Sequence, residues 1–379
     1  MPNRRVAILK SGAREAQSGG LEKYTSRLAK AFLEKGCSVT LLTSGTPKDL
    51  PAGLETFTLS STSKLSFRKL KQFDQFCQKR VDKTSPEIVF GMDRNRFQTH
   101  LRAGNGVHAA YLEMRSTSEG LLKKVSFELN PLHRALLKIE KEAFEHPALE
   151  RLFTNSHMVK EEILRYYSTD PKKISVVHNG VEWQEMSSPF EKWAEQRARI
   201  MSAFDLDSDL FHFLFVGHNF RRKGVEQLLR GASLLPNEKL HISIVGHDKN
   251  LKEYEELAAD LNLQRKVRFF GSRKEILPFY QLADALVIPS FYDPFANVTV
   301  EALAMGLFVV SSKSNGGHEV LTEKSGLTIE DLNSPDAMAS ALKKALNRRK
   351  TEKSASEIRE SIKHLDFSNQ LNQIVKECL

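Results

Sequence analysis

Cysteine is scarce in this chain, and its three copies, Cys37, Cys77 and Cys378, are odd in number and far apart. That spacing excludes a disulfide framework and any paired-cysteine zinc site, and it fits a reduced, cytosolic compartment. Long apolar runs are missing as well: none approaches the ~20 residues that a membrane-crossing helix needs. The start, MPNRRVAILKSGAREAQSGG, has a basic lead, but its apolar run is too short for a signal peptide and reads as a first buried strand. No basic run interleaved with stacking aromatics stands near a nucleic-acid motif, so nucleic acid is not an expected partner. No repeat at solenoid periods is present.

What the chain does have is an uneven charge. Residues 1–180 hold 30 Lys and Arg against 19 Asp and Glu, whereas residues 181–379 hold 26 against 28. The surplus of the first half suits nucleic acid, an anionic membrane, a phosphorylated substrate, or no partner beyond solvent.

The second half reads as strands alternating with helices. FHFLFVG, LHISIVG, VRFFG, ALVIPS and LFVVSS are continuous apolar runs, separated by helical patterns such as GVEQLLRGASLL and KEYEELAADLNL. Such strands imply a parallel sheet covered on both faces. The first half repeats the theme with VAILKSG, SVTLLTS, EIVFG, RLFTNS and ISVVHNG, and with a helix over residues 19–36. The Asn179-Gly180 turn signal coincides with the change in charge and marks the expected domain boundary. The expected organisation is an α/β chain of two parallel-sheet domains, 1–180 and 181–362, facing across a cleft. A last helix over 363–379 returns to the first domain. Ligands of such sheets lie beyond the carboxyl ends of the strands.

Three strand-to-helix turns carry candidate chemistry. Gly19 and Gly20 follow the first strand, where small residues and a helix N-terminus suit a phosphate; a simple tight turn is the alternative. VGHNFRRKGVEQL (216–228) places Arg221, Arg222 and Lys223 in a turn ahead of a helix, where they repel one another and the helix dipole unless an anion neutralises them. SFYDPFANVTVEALAMG (290–306) holds Asp293 in its loop and Glu301 in what reads as the first helical turn. A diphosphate between Arg222, Lys223 and the helix start near Asn297 would leave a sugar at each end, each within reach of one carboxylate.

These motifs resemble those of the GT-B retaining glycosyltransferases, in the large bacterial family usually numbered four. The likeness spans essentially the whole chain and includes the early Gly-Gly, the Arg-Lys-Gly turn and the acid-x7-acid motif. VGHNFRRKGV and the stretch near LLPNEK are similar to segments of the lipopolysaccharide core α-glucosyltransferases. The resemblance implies two Rossmann-like domains. It gives Arg222 and Lys223 to the donor diphosphate, Glu301 to the ribose, and Asp293 to the transferred sugar. The backbone amides of Phe295, Ala296, Asn297 and Val298 fall to sugar and phosphate. Asp293 departs from the usual Glu by one methylene. On the acceptor side it implies Asn105 and His108, within LRAGNGVHAAYLEMR. Relatives often carry Asp at position 105; Asn is no base, so that role shifts to His108 or to the leaving phosphate.

The activity implied is transfer of a hexose, glucose foremost, from a UDP-sugar to a lipopolysaccharide core or related glycolipid. The UDP-sugar is a co-substrate, and no cofactor or metal is expected, because protein cations neutralise the diphosphate. Two basic amphipathic stretches, 63–80 and 120–144, suit an anionic leaflet or an ordinary packed helix. The second matches a membrane-contacting insertion of the core enzymes, so peripheral attachment to the inner face of the cytoplasmic membrane is expected. The rival readings are a nucleotide-sugar epimerase or phosphorylase, which lacks an identifiable acid–base pair, and a non-catalytic nucleotide-sugar or membrane-binding protein.

Overall fold

The computed structural model describes residues 4–11, 20–45, 49–60, 63, 65–92, 95–119 and 121–379. It divides into two compact units, Met1–Val177 with Gln370–Leu379, and His178–Asn369.

Among the described residues, the first unit holds β1 (Arg5–Lys10), β2 (Ser38–Thr43), β3 (Glu55–Thr58), β4 (Ile88–Gly91), β5 (His100–Arg102), β6 (Arg151–Thr154) and β7 (Ile174–Val176). All pair in parallel in the order β3-β2-β1-β4-β5-β6-β7. Five of the six β1 residues are buried, so neither face of this strand meets solvent. The helix Ser66–Thr84 buries Phe73, Cys77 and Val81 against Ala7, Leu9, Leu42 and Val89. The first basic stretch is therefore an ordinary packed helix along that stripe.

The second stretch is broken in two. Helices Leu121–Leu129 and Pro131–Phe144 meet at Asn130, whose side chain accepts from the Leu132 amide while Pro131 occupies the first helical position. Proline cannot donate to a preceding turn, and Asn is a favoured N-cap, so the chain restarts rather than continuing. The second part buries Ile139, Glu140, Ala143 and Phe144.

The second unit holds β8 (Phe211–Val216), β9 (Leu240–Val245), β10 (Val267–Gly271), β11 (Ala285–Ile288), β12 (Phe308–Ser312) and β13 (Gly326–Ile329). They pair in parallel as β10-β9-β8-β11-β12-β13. Every residue of β9, β11 and β12 is buried, which is why they read as unbroken apolar runs. The order reverses between β8 and β11, and such a switch point marks the crevice in which open α/β sheets bind ligands.

Both sheets enclose histidines. Burial, with smaller contributions from Arg151 and Arg4 at His100 and from His212 and Arg268 at His241, pushes both imidazoles down to about 4. Burial also lowers His212, whose ring lies 5.5 Å from that of His241. An unfolded histidine takes its proton near pH ~6.5. Stability is therefore full above that pH and falls as pH drops towards about 4, by about 3 kcal/mol for each of His100 and His241. The melting temperature should drop between pH 7.5 and 5.0, and His241→Leu should flatten that slope; equal slopes in both proteins would contradict the assignment.

Candidate active site

The loops after β8 and β11 bring three charged side chains together. Asn219 adopts a left-handed conformation (φ 59°), and its side chain accepts from the Arg222 amide, starting the short helical turn Phe220–Lys223. Asp248, from the loop after β9, accepts from the Phe220 amide at 2.7 Å. Gly224 ends the turn at φ 77°, where a Cβ would lie 2.0 Å from the Pro289 carbonyl oxygen. Only glycine fits that approach, and it is what lets the two loops touch.

The basic triplet thus forms the last turn of its own short helix, not the N-terminus of the next one. Positive charge is favoured at a helix C-terminus. Pairing and burial, rather than repulsion by a helix dipole, set the electrostatics of the triplet. The Arg222 guanidinium donates to the Tyr292 carbonyl at 2.7 Å and to an Asp293 oxygen at 3.3 Å. The Lys223 ammonium donates to the same Asp293 oxygen. Lys223 is 8% and Asp293 7% exposed. Burial lowers the Lys223 pKa, Asp293 opposes that shift, and Arg222 adds to it.

Asp293 is fixed by its backbone as well. Its amide donates to Ser314 and its carbonyl accepts from Gly316, both at 2.9 Å. Its second carboxylate oxygen accepts from the Phe295 amide at 3.3 Å. The helix Asn297–Ala304 follows, with Ala296 as an N-cap that makes no side-chain cap bond. Buried Asn315 substitutes from outside, its side-chain oxygen accepting from the Ala296 and Gly317 amides at 3.0 and 3.1 Å. This external cap starts the helix at Asn297, earlier than its apolar pattern suggests. Glu301 is consequently the fifth helical residue and lies outside the first turn. Tyr280 donates its hydroxyl to Glu301 at 2.7 Å, and burial followed by Glu301 raises the Tyr280 pKa well above its usual value.

The first unit holds the remaining candidates. Gly19 lies outside the described residues, and Gly20 begins the helix Gly20–Glu34. Asn105 is exposed in the turn after β5 and lines a small cavity with Met92, Arg102, Gly106 and Glu140. His108 is buried at the start of the helix His108–Glu119. Its amide donates to both oxygens of buried Glu140, at 2.9 and 3.0 Å, and its Nε2 lies 3.0 Å from His133 Nδ1. A carboxylate at a helix N-terminus is favoured there, so the Glu140 contact serves the fold directly.

Two overlapping Asp-x-Asp spacings, which no expectation above took up, occur at Asp205, Asp207 and Asp209. They lie in the turn before β8, at the opposite end of the sheet from the crevice. Asp207 serves that turn, its side chain accepting from the Asp209 amide and its carbonyl lying 2.7 Å from His212 Nε2. Sequence reasoning also misses Asn179, Asn219, Tyr280 and Asn315 as contributors to the site. Their only sequence signals are turn-like Asn-Gly pairs at 179–180 and 315–316, which do not name distant partners.

Gly224→Ala should cost about 2–4 kcal/mol, because strain and the Pro289 clash act together. Gly36→Ala, at φ 78° with nothing within 4 Å of the added carbon, should cost only about 1 kcal/mol. Denaturant melts of the two variants check the difference, and equal losses would remove the close approach as the cause.

Comparison with known proteins identifies the family. Residues 18–185 match "Glycosyltransferase Family 4", and residues 196–363 match "Glycosyl transferases group 1". The lipopolysaccharide glucosyltransferase WaaG of Escherichia coli K12 is 23% identical over 336 residues, 86% of each chain. A crystal structure of WaaG superposes with a TM-score of 0.74 at 20% identity, covering 98% of both chains. Anabaena Alr3699/HepE in complex with UDP-glucose superposes with a TM-score of 0.68 at 14% identity, covering 99% of this chain and 98% of that one. The chain belongs to the GT-B glycosyltransferases, with a family 4 domain followed by a group 1 domain.

Proposed function

We propose that this enzyme is a retaining hexosyltransferase that moves a hexose, glucose foremost, from a UDP-sugar to a lipopolysaccharide core or related glycolipid. The observation that carries the reading is the cluster of half-buried Arg222 with buried Lys223 and Asp293 in the β8/β11 crevice, beside a helix start without its own side-chain cap. Two cations against one carboxylate leave a net positive charge that suits a diphosphate. The similarity to WaaG supports the glucose and glycolipid choices.

In this reading Arg222, Lys223 and the amides of Asn297 and Val298 hold the diphosphate; the Phe295 and Ala296 amides, also expected there from the sequence, are engaged by Asp293 and Asn315. Glu301, its other oxygen taken by Tyr280, holds the ribose. Asp293 faces a sugar hydroxyl. The acceptor oxygen bonds to the anomeric carbon on the face from which the diphosphate leaves. The bond from that carbon to the phosphate oxygen breaks, and the acceptor proton passes to the departing oxygen. Asn105 and His108 orient the acceptor and need not take the proton. Charge on the leaving group is met by arginine and lysine, so no divalent cation is required and EDTA should leave the rate unchanged.

The glycolipid acceptor places the enzyme at a membrane surface. No helix among the described residues is long and apolar enough to cross a membrane. Val125 and Leu129, one helical turn apart on Leu121–Leu129, are 53% and 72% exposed, in a stretch that also carries Lys123 and Lys124. Exposed apolar side chains in a lysine-bearing stretch of sequence suit peripheral contact with anionic lipid on the cytoplasmic side. Flotation with anionic liposomes should fall at high salt; flotation indifferent to lipid charge and salt would remove the contact.

The donor assignment is tested by calorimetric titration with UDP, GDP and ADP. UDP should bind selectively, and Glu301→Ala should weaken it roughly tenfold or more. Asp293→Ala should cut turnover and lower the melting temperature, because it removes the counter-charge of Arg222 and Lys223. Equal UDP affinity in wild type and Glu301→Ala would sink the ribose role.

A further inference from the structure

The chain segment that opens the second unit lies against the candidate donor loop. Val181 is pinned to the far end of that unit, its amide donating to Leu365 at 3.0 Å and its carbonyl accepting from Phe367 at 2.9 Å. At Gly180 a Cβ would lie 2.8 Å from Phe367 Cα, so the segment passes with no room for a side chain. Two residues placed by this anchor reach the loop. His178 Nε2 lies 2.9 Å from a Glu319 oxygen, and its ring is 5.9 Å from that of Phe295. Asn179, nine-tenths buried, donates its Nδ2 to the side-chain oxygen of Asn297 at 2.7 Å.

The second contact has a chemical consequence for Asn297. This residue is exposed and is the first of the helix Asn297–Ala304. A primary amide offers one acceptor oxygen and one NH₂ donor. Asn179 engages the oxygen, so the group that Asn297 keeps for an incoming ligand is the donor. Phosphate and hydroxyl oxygens take donors and are repelled by a carbonyl oxygen. The backbone amides at the same helix start have the same polarity.

We propose that Asn179 is a positioning residue for the nucleotide-sugar donor: it holds Asn297 with its NH₂ group towards the donor's oxygens. The proposal rests on the donor-site reading above and adds to it a residue 118 positions away in sequence. Asn179 itself touches no substrate. It acts by fixing which half of the Asn297 amide is presented.

Two variants separate this from a packing role. Asn179→Ala removes the constraint, and UDP affinity should fall about three- to tenfold, the worth of one hydrogen bond. Asn179→Asp cannot donate, so Asn297 must turn its NH₂ inward and present its oxygen; affinity should fall further than in the alanine variant, about tenfold or more. In an Asn297→Ala background Asn179→Asp should add no further loss, whereas repulsion of the diphosphate by the new carboxylate would persist there. Combining Asn179→Ala with Asn297→Ala should lose no more affinity than Asn297→Ala alone. Additive losses, or an Asp variant that binds like wild type, would overturn the proposal. A ligand-free measurement covers the case in which wild type binds no nucleotide and the donor reading itself fails. Hydrogen exchange in a peptide spanning 293–300 should rise several-fold in Asn179→Ala, with β8 and β9 unchanged. Unchanged exchange in that peptide would overturn the positioning role.

Discussion

A buried carboxylate shared by two cations is the interaction on which the rest of this site depends. Leaving buried Asp293 or Lys223 without its counter-charge would cost about 3–5 kcal/mol. The loops that carry them are therefore fixed relative to one another. β8 and β11 are parallel neighbours, with Phe213 opposite Ala285 and Leu214 opposite Leu286, so both loops leave the same edge of the sheet. The sheet supplies adjacency, and the ion cluster locks the loops that adjacency brings together. The excess positive charge is held in place before any ligand arrives. Preorganised charge of this kind needs no rearrangement as a leaving group develops its own.

The supports of the cluster are small residues and asparagines rather than further charges. Gly224 lets the β8 loop press on Pro289, and Gly246 at φ 148° leaves room for the Gly217 carbonyl. Asn219 caps the basic turn, Asn315 caps the helix behind Asp293, and Asn179 holds Asn297. Each uses a neutral amide to satisfy backbone or side-chain groups that the loop geometry leaves unpaired. The balance of ions at the centre is left undisturbed. In the first unit, by contrast, the buried Glu140 carboxylate gathers the His108 amide and the Tyr167 hydroxyl. His108 is thereby built into its helix start.

Strands buried on both faces were legible because burial on both faces demands an unbroken apolar run, and a short run of that kind between turn residues suits little else. The five runs read in the second half correspond to β8, β9, β10, β11 and β12. β3, β5 and β13 were not legible: ETFT, HLR and GLTI are three or four residues long and mix polar with apolar side chains. Their assignment comes from neighbours in the sheet, which no local pattern encodes. The same reason explains the early start of the helix at Asn297, set by Asn315 eighteen residues later. Arg222, Lys223 and Asp293 were legible as residues with unusual chemistry in strand-end loops. That all three form one cluster was not, since a 70-residue separation hides it.

A crystal structure of the enzyme with UDP tests the central claim most directly. The account predicts diphosphate oxygens within about 2.7–2.9 Å of the Lys223 ammonium and the Arg222 guanidinium, with the ribose hydroxyls on Glu301. A nucleotide bound elsewhere, with Arg222 and Lys223 still engaged by Asp293 alone, would contradict it.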